Sequence, residues 1–144
     1  MSQYDPNYVP VHNYFLLCVK VIIINDDNKI LLLQRSDKTP RAHGWDFAGG
    51  GVDKGEDPRD AAIRESLEET GLSIDNIQIL STSHGHTNGG EYVMIGYVAH
   101  ADDDEVKLSW EHESYKWLAV GEVKQIELPQ AHRLILDAYL AQRS

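Results

Sequence analysis

The chain has 144 residues, 42% hydrophobic and 25% charged, with a single cysteine and a formal net charge of −10. That length suits one globular domain with a real core. One thiol excludes a disulfide framework and a cysteine-based zinc site and suits a reducing interior, while the acidic balance lacks the basic face that a nucleic acid polymer requires.

The first thirteen residues read as a polar N-terminal arm, without the basic and apolar regions of a secretory leader. Residues 14–144 are expected to form the domain. The longest apolar stretch, Phe15 to Ile24, is interrupted by Lys20 and is too short to span a bilayer, so a soluble cytoplasmic protein with no membrane partner is expected. Tyr14 to Asn25 is rich in Val, Ile and Leu, the turn cluster NDDNK follows, and Ile30 to Gln34 resumes the apolar pattern, which predicts a β-hairpin. Arg35 to Gly44 is a polar loop, and Trp45 to Phe47 forms a short strand leading into Gly49, Gly50 and Gly51, where the chain is expected to bend.

Asp57 is placed to cap a helix with Pro58 at its first position, and Gly71 to end it, so the helix should run from Pro58 to Thr70. Strands are expected over Gln78–Ser83 and Tyr92–His100 around the loop HGHTNGG, and over Lys116–Val120 after the solvated turn ADDDE. From Pro129 onward, Ala131, Leu134, Ile135 and Ala138 recur at amphipathic helical spacing, predicting a closing helix. With no internal repeat or linker, the pattern is that of one α+β unit.

The chemistry lies on the central helix. Glu65, Glu68 and Glu69 share a face, where mutual repulsion costs a scaffold stability unless a cation binds, and Ala61, Ala62 and Leu67 remain to pack elsewhere. Oxygen-only ligands favour Mg²⁺ or Mn²⁺ over zinc. Carboxylates have a use for an anionic diphosphate only with such cations between them. The preceding glycines allow a backbone carbonyl, that of Gly49, to approach a cation. Arg64 is placed to pair with Glu56 and fix the loop to the helix.

Gly50, Glu56, Arg64, Glu65, Glu68, Glu69, Gly71 and Leu72 stand in a register that resembles the Nudix box, with Ser66 where the pattern has an aliphatic residue and Ala48 where relatives often carry proline. The resemblance to the Nudix hydrolase family, in its small single-domain MutT-like form, implies a mixed β-sheet sandwiched between α-helices. It also implies metal-dependent hydrolysis of a nucleoside diphosphate linked to another group, with water attacking phosphorus. In that reading Glu68, Glu69 and the Gly49 carbonyl bind the metal and Glu65 binds the metal or its water, while Arg64 has an orienting role. The base is a box glutamate or one supplied from WEHESYKWL, where Glu113 is preferred to Glu111 because it lies nearer the expected strand.

A small nucleotide, a nucleoside triphosphate first, is the expected substrate. ADP-ribose, a nucleotide sugar and a dinucleoside polyphosphate are alternatives in the same class, and a non-catalytic nucleotide sensor is the alternative outside it. An isomerase-like relative lacks a cysteine near the site for its acid or base. Arg35 and Arg41, with Lys38 and His43, are candidates for phosphate contacts against a solvated-loop reading, and Tyr92, Tyr97, Trp45 or Trp110 could stack on a base instead of packing in the core. His84 and His86 lack a third nitrogen or sulfur ligand, so a polar or substrate-contacting turn is preferred there to zinc. Cys18 reads as a buried thiol and His132 as a helix-surface residue. A homodimer, common among relatives, is an admissible assembly.

Overall fold

The computed structural model describes residues 3–10 and 14–143. Residues 1, 2, 11–13 and 144, which belong to the expected arm and to the end of the expected domain, lie outside the described residues. The strands are β1 (Leu16–Ile24), β2 (Ile30–Arg35), β3 (Trp45–Asp46), β4 (Ala48–Gly51), β5 (Asp75–Thr87), β6 (Gly90–His100) and β7 (His112–Leu118). The helices are α1 (Pro58–Thr70), α2 (Val120–Val123) and α3 (Gln130–Arg143).

β1 organises one mixed sheet. It pairs with β6 in parallel along its whole length, and its other edge is shared by β2, at Ile24 and Ile30, and β4, from Cys18 to Val21. β2 in turn carries β3 and β7, while β6 carries β5. Alternation along β1 sends Val19, Val21 and Ile23 into one core with Ala61 and Ala62 of α1. Ile22 enters a second core with Ile135, Leu136 and Tyr139 of α3. The sheet is therefore sandwiched between α1 and α3, the architecture expected from the sequence.

Four local expectations are corrected. The glycines extend as β4 along β1 instead of bending, because Ala48 to Gly51 find a complete antiparallel partner there. HGHT belongs to β5, whose hairpin closes through the two-residue turn Asn88–Gly89, so the expected loop is shorter. The last strand is His112–Leu118, because its register is set by β2, from Ile30 to Arg35. On α1 the buried stripe is Ala61, Ala62, Ser66, Glu69 and Thr70, while Leu67 is 52% exposed. The helix caps are as expected: Asp57 accepts from the Arg59 N–H at 2.8 Å, and Gly71 adopts φ 72° with its N–H bonded to the Leu67 carbonyl.

The burial pattern separates two leucines that share a helical context. Leu136→Ala is expected to cost about 2–5 kcal/mol by emptying a core position, and Leu67→Ala to change stability by no more than about 0.5 kcal/mol. Urea unfolding midpoints of the two variants check this.

Candidate active site

The chain crosses from the β2 side of the sheet to the β1 side between β3 and β4, and Asp46 stands at that crossing with no exposed surface. Its Oδ1 accepts from Lys20 Nζ at 3.0 Å and from His132 Nε2 at 2.5 Å. Its Oδ2 accepts from Arg35 Nη1 at 2.9 Å and lies 3.4 Å from His112 Nε2. Burial alone raises a carboxyl pKa, but the Lys20 charge and the histidine hydrogen bonds outweigh it and hold Asp46 well below the usual carboxylate range. His132 is thus a buried partner of Asp46, not a helix-surface residue. Burial pushes its ring toward the neutral form, so Nε2 carries the proton given to Asp46. The hydrophobic spacing of α3 could not reveal this, because the anion that recruits His132 is distant in sequence.

Lys20 Nζ also donates to the carbonyls of Phe47 and Gly49, each at 3.3 Å. The glycines that follow are required sterically. Gly49 has φ 144°, and a Cβ there would lie 2.0 Å from the Val19 carbonyl oxygen; one at Gly50 would lie 2.7 Å from Glu65 Oε1. Glu65 can therefore lie flat against the backbone of β4 only where a side chain is missing.

The three glutamates are graded in exposure. Glu68 has 57% of its side chain exposed and Glu65 13%, while Glu69 as a whole residue is 2% exposed. Arg64 lies among them. It grips Glu56 through two hydrogen bonds of 2.8 and 2.9 Å, donates to the Gly51 carbonyl at 3.0 Å, and reaches Glu65 at 3.1 Å and Glu68 at 3.3 Å. The Glu56 carboxyl falls to about 2 because Arg64 and then the Asp53 N–H bond its charged form. Glu69 moves the other way, to about 8, chiefly through burial, although Lys20 and the Gly49 N–H, 3.3 Å from Oε2, favour its ionised form. Burial also raises Glu65 despite Arg64. Glu65, Glu68 and Glu69 are oxygen donors of the kind a hard divalent cation takes, but their carboxylates do not converge on one point here; among the described residues the group of donors that does is Asp26, His100 and Asp102.

The remaining candidates divide between two places. Arg35, Arg41 and Tyr92 line one cavity of about 560 Å³ with Lys20, Asp46 and Gln130. The Arg35 guanidinium is already committed to Asp46 and the Pro40 carbonyl, whereas the Arg41 guanidinium makes no hydrogen bond among the described residues, its carbonyl alone accepting from the Gly44 N–H at 2.9 Å. Cys18 lines the same cavity and is only half-buried, a departure from the buried thiol expected and from the expectation that no cysteine lies near the site. Glu113 is bound to His43 Nδ1 at 2.5 Å. Its neighbour His112 turns inward, with Nδ1 3.9 Å from Glu69 Oε2, and the Ser109 N–H bonds the Glu69 carbonyl at 3.3 Å. The loop carrying Glu111 therefore runs beside the end of the carboxylate helix. His84 pairs with Glu91 near the turn of the β5–β6 hairpin, and among the described residues neither His84 nor His86 belongs to a group of converging metal-ligating side chains.

A family model described as the NUDIX domain matches residues 15–139. The chain is 33% identical to the CTP pyrophosphohydrolase of Escherichia coli K12, over 88% of this chain and 93% of that protein. It is 27% identical to the RNA pyrophosphohydrolase of Roseobacter denitrificans, over 86% and 91% respectively. The crystal structure of a MutT protein from Methanosarcina mazei Go1 superposes with a TM-score of 0.76 at 26% identity, covering 94% of this chain and 99% of that one. The chain belongs to the NUDIX domain family and is a MutT-like Nudix hydrolase, a pyrophosphohydrolase by reaction class. The family generally requires a divalent metal.

The Arg64–Glu56 pair carries a pH signature. Because Glu56 is more acidic in the folded state than its ordinary 4.5, its contribution to stability is full above pH 4.5 and is lost as pH falls toward 2. The difference in urea midpoint between the wild type and Glu56→Gln should accordingly be largest at pH 6–7 (about neutral) and shrink toward zero near pH 2 (about the folded value).

Proposed function

We propose that this Nudix hydrolase cleaves a free nucleoside triphosphate with Mg²⁺ or Mn²⁺, using water to give the nucleoside monophosphate and pyrophosphate. The observation that carries the reading is the cavity of about 560 Å³, with an apolar lining from Leu16, Tyr92 and Met94, whose Lys20 wall is hydrogen-bonded to the glycine strand facing the glutamates. A base enters the cavity, Tyr92 offers it an aromatic face, and Arg41 and Arg35 supply donors to phosphate or base acceptor atoms. The Tyr92 ring is seated over Gly85, where a Cβ would meet it at 2.4 Å. The triphosphate then leads out toward α1.

Gly49, through its carbonyl, and Glu65, Glu68 and Glu69 would hold the metal, which supplies charge neutralisation to the diphosphate and acidity to the attacking water. Arg64 holds Glu56, Glu65, Glu68 and the Gly51 carbonyl in one arrangement. The water oxygen bonds to phosphorus, the bridging P–O bond breaks toward pyrophosphate, and the water proton passes to a carboxylate. For that base Glu111 is preferred to Glu113, because its loop runs against α1 while Glu113 is engaged by His43. The hydrolase domain is assigned to residues 14–144, and the cytoplasm suits its single thiol.

The experiment is release of phosphate and pyrophosphate from a substrate panel, with Mg²⁺, Mn²⁺ and chelator arms. The panel holds CTP and the other nucleoside triphosphates, oxidised nucleotides, ADP-ribose, nucleotide sugars, dinucleoside polyphosphates and a 5′-triphosphorylated oligoribonucleotide. Pyrophosphate release from free triphosphates, abolished by chelator, is the expected result. Turnover confined to the oligoribonucleotide or to a diphosphate-linked compound overturns the substrate assignment, and tight binding with no turnover makes the chain a sensor.

Glu68→Gln and Glu69→Gln should each lower kcat by at least about 10- to 100-fold with an unchanged circular dichroism spectrum. Among the candidate bases, Glu111→Gln should lower kcat by on the order of 10²–10⁴ and Glu113→Gln by far less. The reverse ranking in steady-state kinetics returns the role to Glu113.

A further inference from the structure

We propose that Lys20 and Asp46 together act as a positioning pair for the hydrolytic site, fixing the Gly49 peptide between the substrate cavity and the carboxylate helix. The inference rests on the reading of α1 as the metal-binding face and goes beyond the roles assigned to the box residues.

The sheet makes a lysine improbable at this position. Lys20 lies in the middle of the central strand, between Val19 and Val21, which are both without exposed surface, and is itself only 9% exposed. An ammonium there loses its hydration and is retained only if its donors are satisfied. They are: its three protons have three acceptors, Asp46 Oδ1 at 3.0 Å and the carbonyls of Phe47 and Gly49 at 3.3 Å. Two of those acceptors belong to the chain that enters the glycine strand, so the side chain fixes the orientation of that backbone as well as neutralising Asp46.

Gly49 is held from both sides. Its carbonyl accepts from Lys20 while its N–H donates to Glu69 Oε2 at 3.3 Å. A carbonyl oxygen has two lone-pair directions. With one taken by Lys20, the other remains for a cation on the glutamate side. At Gly49, φ of 144° and the 2.0 Å approach that a Cβ would make to the Val19 carbonyl show that the peptide is locked against β1 immediately before Lys20. Asp46 completes the device by tying Lys20 to Arg35 of β2 and His132 of α3, which, like both members of the pair, line the cavity. Cavity and metal-binding face thus share one hydrogen-bonded support.

The charge-neutral variant Lys20→Met with Asp46→Asn tests this, because it removes cation and anion together and so leaves the net charge near the metal unchanged. Replacing a whole buried pair is also far less damaging than breaking one. Lys20→Met alone serves as the second variant if the double one does not fold. Two readouts are taken on folded protein, verified by circular dichroism and a cooperative thermal transition: Mn²⁺ affinity by calorimetry without substrate, and steady-state kcat and KM. A positioning role predicts Mn²⁺ binding weaker by at least fivefold and kcat lower by at least tenfold, with KM changed less than threefold. Mn²⁺ affinity within fivefold of wild type, or kcat within tenfold, overturns the proposal and leaves the pair a scaffold element. A wild type that binds Mn²⁺ but turns over no nucleotide refutes the functional reading instead, and the calorimetric arm still tests the pair.

Discussion

A carboxylate with no exposed surface is the constraint around which this molecule is arranged. Moving an ion of that size out of water costs several kcal/mol even after relaxation, and the cost is offset only when donors converge with good geometry. At Asp46 they converge from four separate elements: Lys20 of β1, Arg35 of β2, His112 of β7 and His132 of α3. One anion therefore ties both branches of the forked sheet to the closing helix. No comparable hydrophobic contact would set those four elements in a unique register, since apolar packing is largely indifferent to direction.

The same arrangement accounts for where the glycine strand and the glutamates of α1 lie. Leaving Asp46, the chain has to pass from β3 to β4 through Phe47, whose side chain enters the α3-side core, and Ala48, whose side chain enters the α1-side core. The glycines that follow lie directly under α1, close enough that Glu65 rests on Gly50 and Glu69 bonds the Gly49 N–H. The box is thus less a loop than a strand and a helix pressed together, with Arg64 bridging the turn between them. Its departure at Ser66 has a structural consequence. Ser66 is fully buried with its Oγ unpartnered, so at that position the helix packs through a small polar group instead of an aliphatic one.

Electrostatically the site has two halves. On the helix side, burial has moved Glu65 and Glu69 above their ordinary values beside the exposed Glu68. Across the glycine strand, the cavity is lined by three cationic side chains, Lys20, Arg35 and Arg41, of which Lys20 and Arg35 are paired with Asp46. An overall charge of −10 is therefore compatible with a polyanionic substrate, because the charge is not distributed evenly around the site.

What the sequence determined by itself is whatever depends on spacing within one element. The caps at Asp57 and Gly71, the shared face of Glu65, Glu68 and Glu69, the pairing of Arg64 with Glu56 and the presence of a closing helix follow from local geometry that a few neighbouring residues impose, but the face that helix buries does not: it is His132, Ile135, Leu136 and Tyr139, while Leu134 of the expected stripe is 43% exposed. Only the tertiary structure decided the rest. It buried His132 against an aspartate 86 residues away, turned the glycines into a paired strand, directed Glu113 to His43, and exposed Leu67 while burying Ser66. Each of those outcomes depends on which distant segment arrives alongside, and no pattern of residues three, four or two apart carries that information.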